Sequence, residues 1–332
     1  MARMEFDFGT ERTLTAIQLH WSDVDAAEAF AYDIHSVDGD STSPLGGVVR
    51  STGGRDLVWL GESDVSRLSL QAQTEGLRVP ELKRVEFIEP SDIASPNDLL
   101  RRIAVQSAKH EMPPAFHDIH TSWTASGAPG HSGEAIVSLN GRVEFDKAGA
   151  SLEPFMVYDA GDTVGWSEAV HKQTLVDGYL PIPIVERDDG ATTLQVTTLS
   201  IGDAERSSCV IEYAVTNETS SHLDASLVLT VRPLQVLPHW QWLNVTGGFS
   251  PLRDIRVSKH VIGLNAGRPI FLTTPADDVM TWDMQDSALP VAEGDWTGEP
   301  THAVQRRGFA AAAVRYDLSL ARGETMRVLV EA

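Results

Sequence analysis

Few residues in this 332-residue chain group by type and spacing in a way that suggests chemistry. The stretch Pro238-His239-Trp240-Gln241-Trp242-Leu243-Asn244 sets two indoles among amide side chains. Sugar rings present apolar C–H faces that stack on indole, and their hydroxyls need polar partners close by. Trp240 and Trp242 would share a face if the stretch were extended. Trp240, Gln241, Trp242 and Asn244 are therefore the candidate ligand-binding residues. The competing reading is that these indoles plug a core. Trp282-Asp283 and Asp295-Trp296 are thinner versions of the same pattern.

Other chemistries find less support. Glycoside hydrolysis needs two carboxyl groups about 5–10 Å apart, and among 47 Asp and Glu some pair meets that distance by chance. Glu134, Glu153, Asp159 and Asp162 are close in sequence, yet nothing sets them apart from turn and strand-edge charges, so no catalytic residue is assigned. His110-Glu111 and His117-Asp118-Ile119-His120 gather metal-ligating types. A zinc site needs further ligands at defined spacing. The stretch is expected to lead into a strand, where positions i and i+3 face opposite ways. Surface or capping histidines are the better reading, and no metal is assigned. There is no Gly-x-Ser-x-Gly elbow and no phosphate-binding glycine loop, so neither a serine nucleophile nor a nucleotide cofactor is expected. Cys209 stands alone in an apolar run and reads as a buried, inert thiol.

The net charge of −21 argues against nucleic acid and anionic membrane surfaces as partners, since both require a basic patch. No run of about 18 apolar residues exists to span a bilayer. Met1–Gly9 alternates charges and lacks the apolar segment of a signal peptide.

The elements that would position these residues are mostly strands. Phe30, Tyr32 and Ile34 alternate with Ala31, Asp33 and His35, and Leu68 and Leu70 alternate with polar neighbours. Asp38-Gly39-Asp40 and Gly53-Gly54 mark turns. Residues 91–116 differ: Ser91-Asp92 and Asn97 are candidate helix caps, and Pro113-Pro114 stops any helix. Beyond them the spacing predicts strands at 135–139, 152–158, 192–199, 209–216, 223–232, 255–263, 309–318 and 326–330. Turns fall at Asn140-Gly141, Asp177-Gly178, Asp189-Gly190 and Arg322-Gly323. Many strands with regular turns predict an all-β chain with a sandwich of two large antiparallel sheets. The expected divisions are 1–90, a linker at 91–116 carrying a short helix, and 117–332.

Phe6-Asp7-Phe8-Gly9, Leu14 through Trp21, Tyr32 through Gly39, Gly53-Gly54-Arg55-Asp56 and Arg67-Leu68-Ser69-Leu70 together resemble the discoidin-like (coagulation-factor type C) domain. That resemblance implies a jelly-roll sandwich whose end loops hold glycans, lipids or proteins. The chain departs from the family in having Ser43-Pro44-Leu45 where an aromatic is usual. It also lacks a strand ahead of the Asp-Phe-Gly element, as if trimmed at its N-terminus. Ser122-Trp123-Thr124, Glu134 to Phe145, Ser151 to Phe155, Leu180 to Pro183, Arg232 to Val236 and Trp240 to Asn244 followed by Gly247-Gly248 are similar to the β super-sandwich that precedes an (α/α)6 barrel in glycosidases and glycan phosphorylase-like proteins. A barrel of that kind needs about a dozen helices, and this sequence supplies one or two.

The resemblances imply a non-catalytic, carbohydrate-binding and scaffolding region of a carbohydrate-active enzyme. Its expected partners are an oligosaccharide and a catalytic barrel on the same gene product, and the implied placement is extracytoplasmic. A free-standing carbohydrate-binding or adhesion module and a complete glycosidase are the alternatives left open.

Overall fold

A computed structural model describes residues 3–22, 30–51, 53–73, 80–158, 161–292, 294 and 296–332, the side chains of 49 and 50 excepted. The chain is all-β: three antiparallel sheets and one α-helix among the described residues. It divides into two compact units. The first is Met1–Ile103 together with Asp283–Ala288, and the second is Ala104–Trp282 with Leu289–Ala332. No described helix is long and apolar enough to cross a membrane.

The first unit is built on one five-stranded antiparallel sheet, ordered Ser41–Ser51, Phe30–Asp38, Arg55–Ala72, Arg3–Trp21 and Leu82–Ile88. The Arg3–Trp21 strand changes register against Arg55–Ala72 between Asp7 and Arg12 and again between Leu14 and Ala16. Such bulges bend a strand. One face then closes over Leu14, Ile17, Leu19, Trp21, Phe30, Tyr32 and Ile34. The ring of Phe87 meets Phe6 and Phe8 edge-on, 5.4 and 4.8 Å away. At its centre lies Asp56, 2% exposed, accepting hydrogen bonds from the Trp21 indole (2.8 Å) and the Tyr32 hydroxyl (2.7 Å). Burial pushes that carboxyl up despite these bonds. The returning segment Asp283–Ala288 contributes Gln285, whose side-chain oxygen accepts the Trp59 backbone N–H at 2.6 Å.

The α-helix, Pro96–Gln106, is capped two residues earlier than the expected Asn97. Ser95 caps it: its hydroxyl accepts the Asp98 N–H (3.3 Å) and donates to the Asp98 carboxylate (2.7 Å). Pro96 opens the helix, where its missing N–H costs nothing. Ser91 and Asp92 start no helix. Their segment is a turn closed by Asp92 and Ile93 N–H groups on the Glu89 carbonyl. His110 and His117 lie in short 3-10 turns, Lys109–Glu111 and Pro114–His117, and the second leads on to the strand Trp123–Gly127.

The second unit is a sandwich. One sheet runs in the order Asp278–Asp283, Ala310–Leu320, Leu223–Arg232, Ser151–Tyr158, Val143–Glu144, Glu134–Ser138, Trp123–Gly127, with Thr163–Val164 paired to Ser151–Tyr158. The other runs Val170–Leu175, Pro183–Asp188, Thr192–Gly202, Ser207–Asn217, Thr325–Glu331, Ile270–Leu272, Val261–Leu264, Asp254–Val257, Thr301–Val304. Their facing side chains, among them Val137, Leu152, Leu194, Val196, Ile211, Tyr213, Leu227, Leu229, Val314 and Val330, form one core. The expected strand 255–263 is two strands, split by a turn in which the Ser258 N–H reaches the Val261 carbonyl at 2.9 Å. Leu223–Arg232 from Leu227 onward and Ala310–Leu320 up to Val314 are buried on both faces. On the outer face of their sheet Phe155, Val228, Met280, Leu289, Val291 and Ala313 make a second, smaller core.

Candidate functional site

The loop from Arg232 to Ser250 leaves the central strand Leu223–Arg232 and carries the four candidate residues. Its foot is fixed by charges from below. Arg142 and Glu144 are two positions apart at the two-residue strand Val143–Glu144, and both side chains reach the same segment. The Arg142 guanidinium donates to the carbonyls of Leu234 (3.4 Å) and Gln235 (2.9 Å), and to the Ser151 hydroxyl (2.8 Å). The Glu144 carboxylate accepts the N–H groups of Val236 (2.7 Å) and Leu237 (3.4 Å). Four successive backbone positions are thus held by one acid and one base, which are 2% and 3% exposed. Burial pushes the Glu144 carboxyl up and the Arg142 guanidinium down from their ordinary values. Glu153, which lies 3.7 Å from Arg142 and pairs directly with Arg232, supplies the balancing negative charge.

Above the foot the loop doubles back. Gln235 ties its two sides: its backbone N–H reaches the Gly248 carbonyl (2.7 Å), and its side-chain amide donates to the carbonyls of Thr246 (3.0 Å) and Phe249 (2.8 Å). The Gly248 N–H returns to the Leu237 carbonyl at 2.8 Å. Gly247 is required by contact, since a Cβ there would lie 2.1 Å from the Pro238 carbonyl oxygen. At the tip Trp242 bridges to Thr246, and Asn244 takes a left-handed φ of 62°, which Asn tolerates better than most residues.

This frame displays the indoles. Trp242 is 68% exposed, Trp240 is 44% exposed, and Leu243 and Asn244 are exposed beside them. Gln241 is half-buried, its side-chain oxygen accepting the Trp123 indole N–H at 3.3 Å. His239 stands between Phe116, on which it stacks at 5.4 Å, and Trp240, which it meets edge-on at 4.8 Å. The loop therefore offers apolar ring faces with an amide at hand and a base that does not need ordering by a ligand.

The other aromatic pairs are placed differently. Trp282 and Trp296 pack on the smaller core, with the Trp296 indole N–H on the Val291 carbonyl (3.1 Å) and the Arg315 guanidinium 5.1 Å over its ring. Asp295 is outside the described residues. Glu134 is exposed, as is Asp162, and Glu153 is committed to Arg232; Asp159 lies outside the described residues. His110 sits 3.3 Å from Glu168, while the His117 ring lies 6.1 Å from that of Trp166, where burial pushes its imidazole down. Among the described residues no three His, Cys, Asp or Glu side chains are grouped to hold a metal ion. Cys209 is buried in the main core, its thiol pushed up to about 12.

The buried partners of the loop are what sequence reading missed. Arg142 and Glu144 stand in a run that reads as turn and strand edge, where charges ordinarily face water.

Comparison with known proteins adds little to this geometry. No protein-family model matches the chain, and no curated protein matches it. Among solved structures it is similar to a bacterial glucoamylase complexed with acarbose, with a TM-score of 0.40 and 11% identity. That match covers 62% of this chain and 31% of the other, so the chain spans about a third of that protein's length. Likeness at this level fixes neither family nor activity.

Proposed function

We propose that this chain is a carbohydrate-binding and scaffolding region of a carbohydrate-active enzyme of the glycoside hydrolase or glycan phosphorylase type. The observation that supports it is the loop 238–248. It exposes two indoles and an asparagine on a backbone already held in place by buried charges. Large exposed aromatics on a preorganised frame are costly to leave in water without a partner, and sugar rings are the partners whose C–H faces and hydroxyls both find a match there. In this reading the second unit positions a saccharide for a catalytic (α/α)6 barrel on the same gene product, and the first unit is a discoidin-like accessory module.

The test is a titration of the chain with a panel of oligosaccharides, read by tryptophan fluorescence and by calorimetry. Binding to at least one of them, lost when Trp242 is replaced by Ala, is the expected result. Silence across a panel spanning the common neutral, acidic and amino sugars would overturn the reading.

A further inference from the structure

We infer that the ligand of the 238–248 loop is an uncharged saccharide, held by ring stacking and neutral hydrogen bonds and not by ion pairing. This rests on the carbohydrate-binding reading above. From Pro233 to Leu252 the chain carries no Asp, Glu, Lys or Arg, with His239 the only titratable side chain. At 22% charged residues, twenty positions would ordinarily hold about four charges. The gap coincides with the segment that displays Trp240, Trp242, Leu243 and Asn244 to solvent.

Charged side chains of neighbouring elements also reach this segment. Arg142 and Glu144 lie beneath it, at most 3% exposed, and both hydrogen-bond the backbone of Leu234 to Leu237. Arg232 is buried against Glu153 and the Glu111 carbonyl. Beside the loop's far end, where the Ser250 hydroxyl reaches the Ala148 carbonyl at 2.8 Å, Asp146 and Lys147 are exposed, one of each sign. Among these described groups neither sign is in excess, so a uronic or sulfated glycan would find no counter-charge on the loop itself while meeting a chain of net charge −21. A cationic amino-sugar polymer would be drawn to that net charge, but it would find no carboxylate on the loop to fix it there. What remains is C–H stacking on the indoles with amide and backbone groups for hydroxyls.

Three classes of probe decide the matter on the intact chain: neutral oligosaccharides of glucose, xylose and mannose, oligogalacturonate with a sulfated glycosaminoglycan fragment, and chitosan oligomers. Dissociation constants are measured at about 0.05 M and about 0.5 M salt, a range over which ion-paired contacts are strongly screened. A neutral ligand whose affinity changes less than about twofold with salt, and falls about tenfold in Trp242→Ala, is the expected result. A charged class binding best, with affinity falling about tenfold in high salt, would overturn this inference and leave the carbohydrate-binding reading standing. Neutral binding unchanged in both Trp242→Ala and Trp240→Ala would place the ligand elsewhere and overturn it too. Absence of binding in every class would overturn the reading on which it rests.

Discussion

Trp242 and Trp296 are the same residue type with opposite expected behaviour. Trp242 is 68% exposed, so Trp242→Ala should change unfolding free energy by no more than about 0.5 kcal/mol while weakening any saccharide bound by the loop. Trp296 packs on the smaller core and beneath Arg315, so Trp296→Ala should cost about 2–4 kcal/mol in denaturant unfolding. Equal losses of stability in the two variants would contradict this division. A third substitution tests the main core. Tyr213 is fully buried and its hydroxyl has no hydrogen-bond partner among the described residues. Tyr213→Phe keeps the ring and removes an unsatisfied polar atom, so it should stabilise the protein by about 1 kcal/mol, read as a higher denaturation midpoint. The sequence alone could nominate Trp240 to Asn244, because indoles and amides lie together between Pro238 and the Gly247-Gly248 pair. It could not separate them from Trp282 and Trp296. Which face of a sheet a later segment covers is decided by tertiary packing, and neither spacing nor composition reports it.

At the scale of elements, the unit that matters is the loop with its clamp. Glu144→Gln keeps the side-chain shape but puts an amide where a carboxylate accepts two backbone N–H groups. It also leaves Arg142 with only Glu153 for counter-charge. Losing a charge-assisted bond in a buried site should cost about 1–3 kcal/mol. The tip should loosen, seen as greater acrylamide quenching of Trp240 and Trp242 below the unfolding transition. Gly247→Ala should have a larger effect on the same signal, since the new Cβ would collide with the Pro238 carbonyl and force the two sides of the loop apart. Unaltered quenching in both variants would show that the loop is held by other means. Strands with clean alternation and glycine turns were readable: Leu223–Arg232 falls where the pattern puts it, and Gly141, Gly190 and Gly323 take left-handed φ at the predicted turns. Val143–Glu144 and Val170–Leu175 were not readable. The first is too short for periodicity. The second alternates exposed and half-buried residues at a sheet edge, with no apolar face to mark it.

For the whole molecule, the all-β architecture follows from residue patterns, whereas the composition of the first unit does not. Asp283–Ala288 joins it from nearly two hundred residues further along, through bonds such as Gln285 to Trp59 that carry no local signature. Net charge is a poor guide to the chain's acid response for a related reason, because individual buried groups pull in opposite directions. Burial holds the carboxyls of Asp56, Glu111 and Glu144 above their ordinary range. Each is protonated in the folded state at a pH where the unfolded chain is still ionised, so each adds stability as pH falls through its folded value. His171 acts against them. Its strand, Val170–Leu175, pairs it with Arg187, its Nε2 is buried with no partner, and burial together with that guanidinium pushes the imidazole down to about 4. Above its ordinary value of 6.5 the ring is neutral in both states and pH has no leverage through it. Between 6.5 and about 4 the unfolded chain takes up a proton that the folded state refuses, so stability falls as pH falls across that window. Replacing His171 with Gln removes this one contribution and leaves the three carboxyls as they were. The difference in Tm between the variant and the parent chain should therefore be constant from pH 8 to about 6.5 and then grow in the variant's favour down to about pH 4. Tm curves that stay parallel through the window would mean that the folded state accommodates the imidazolium, and that Arg187 does not face it closely enough to matter.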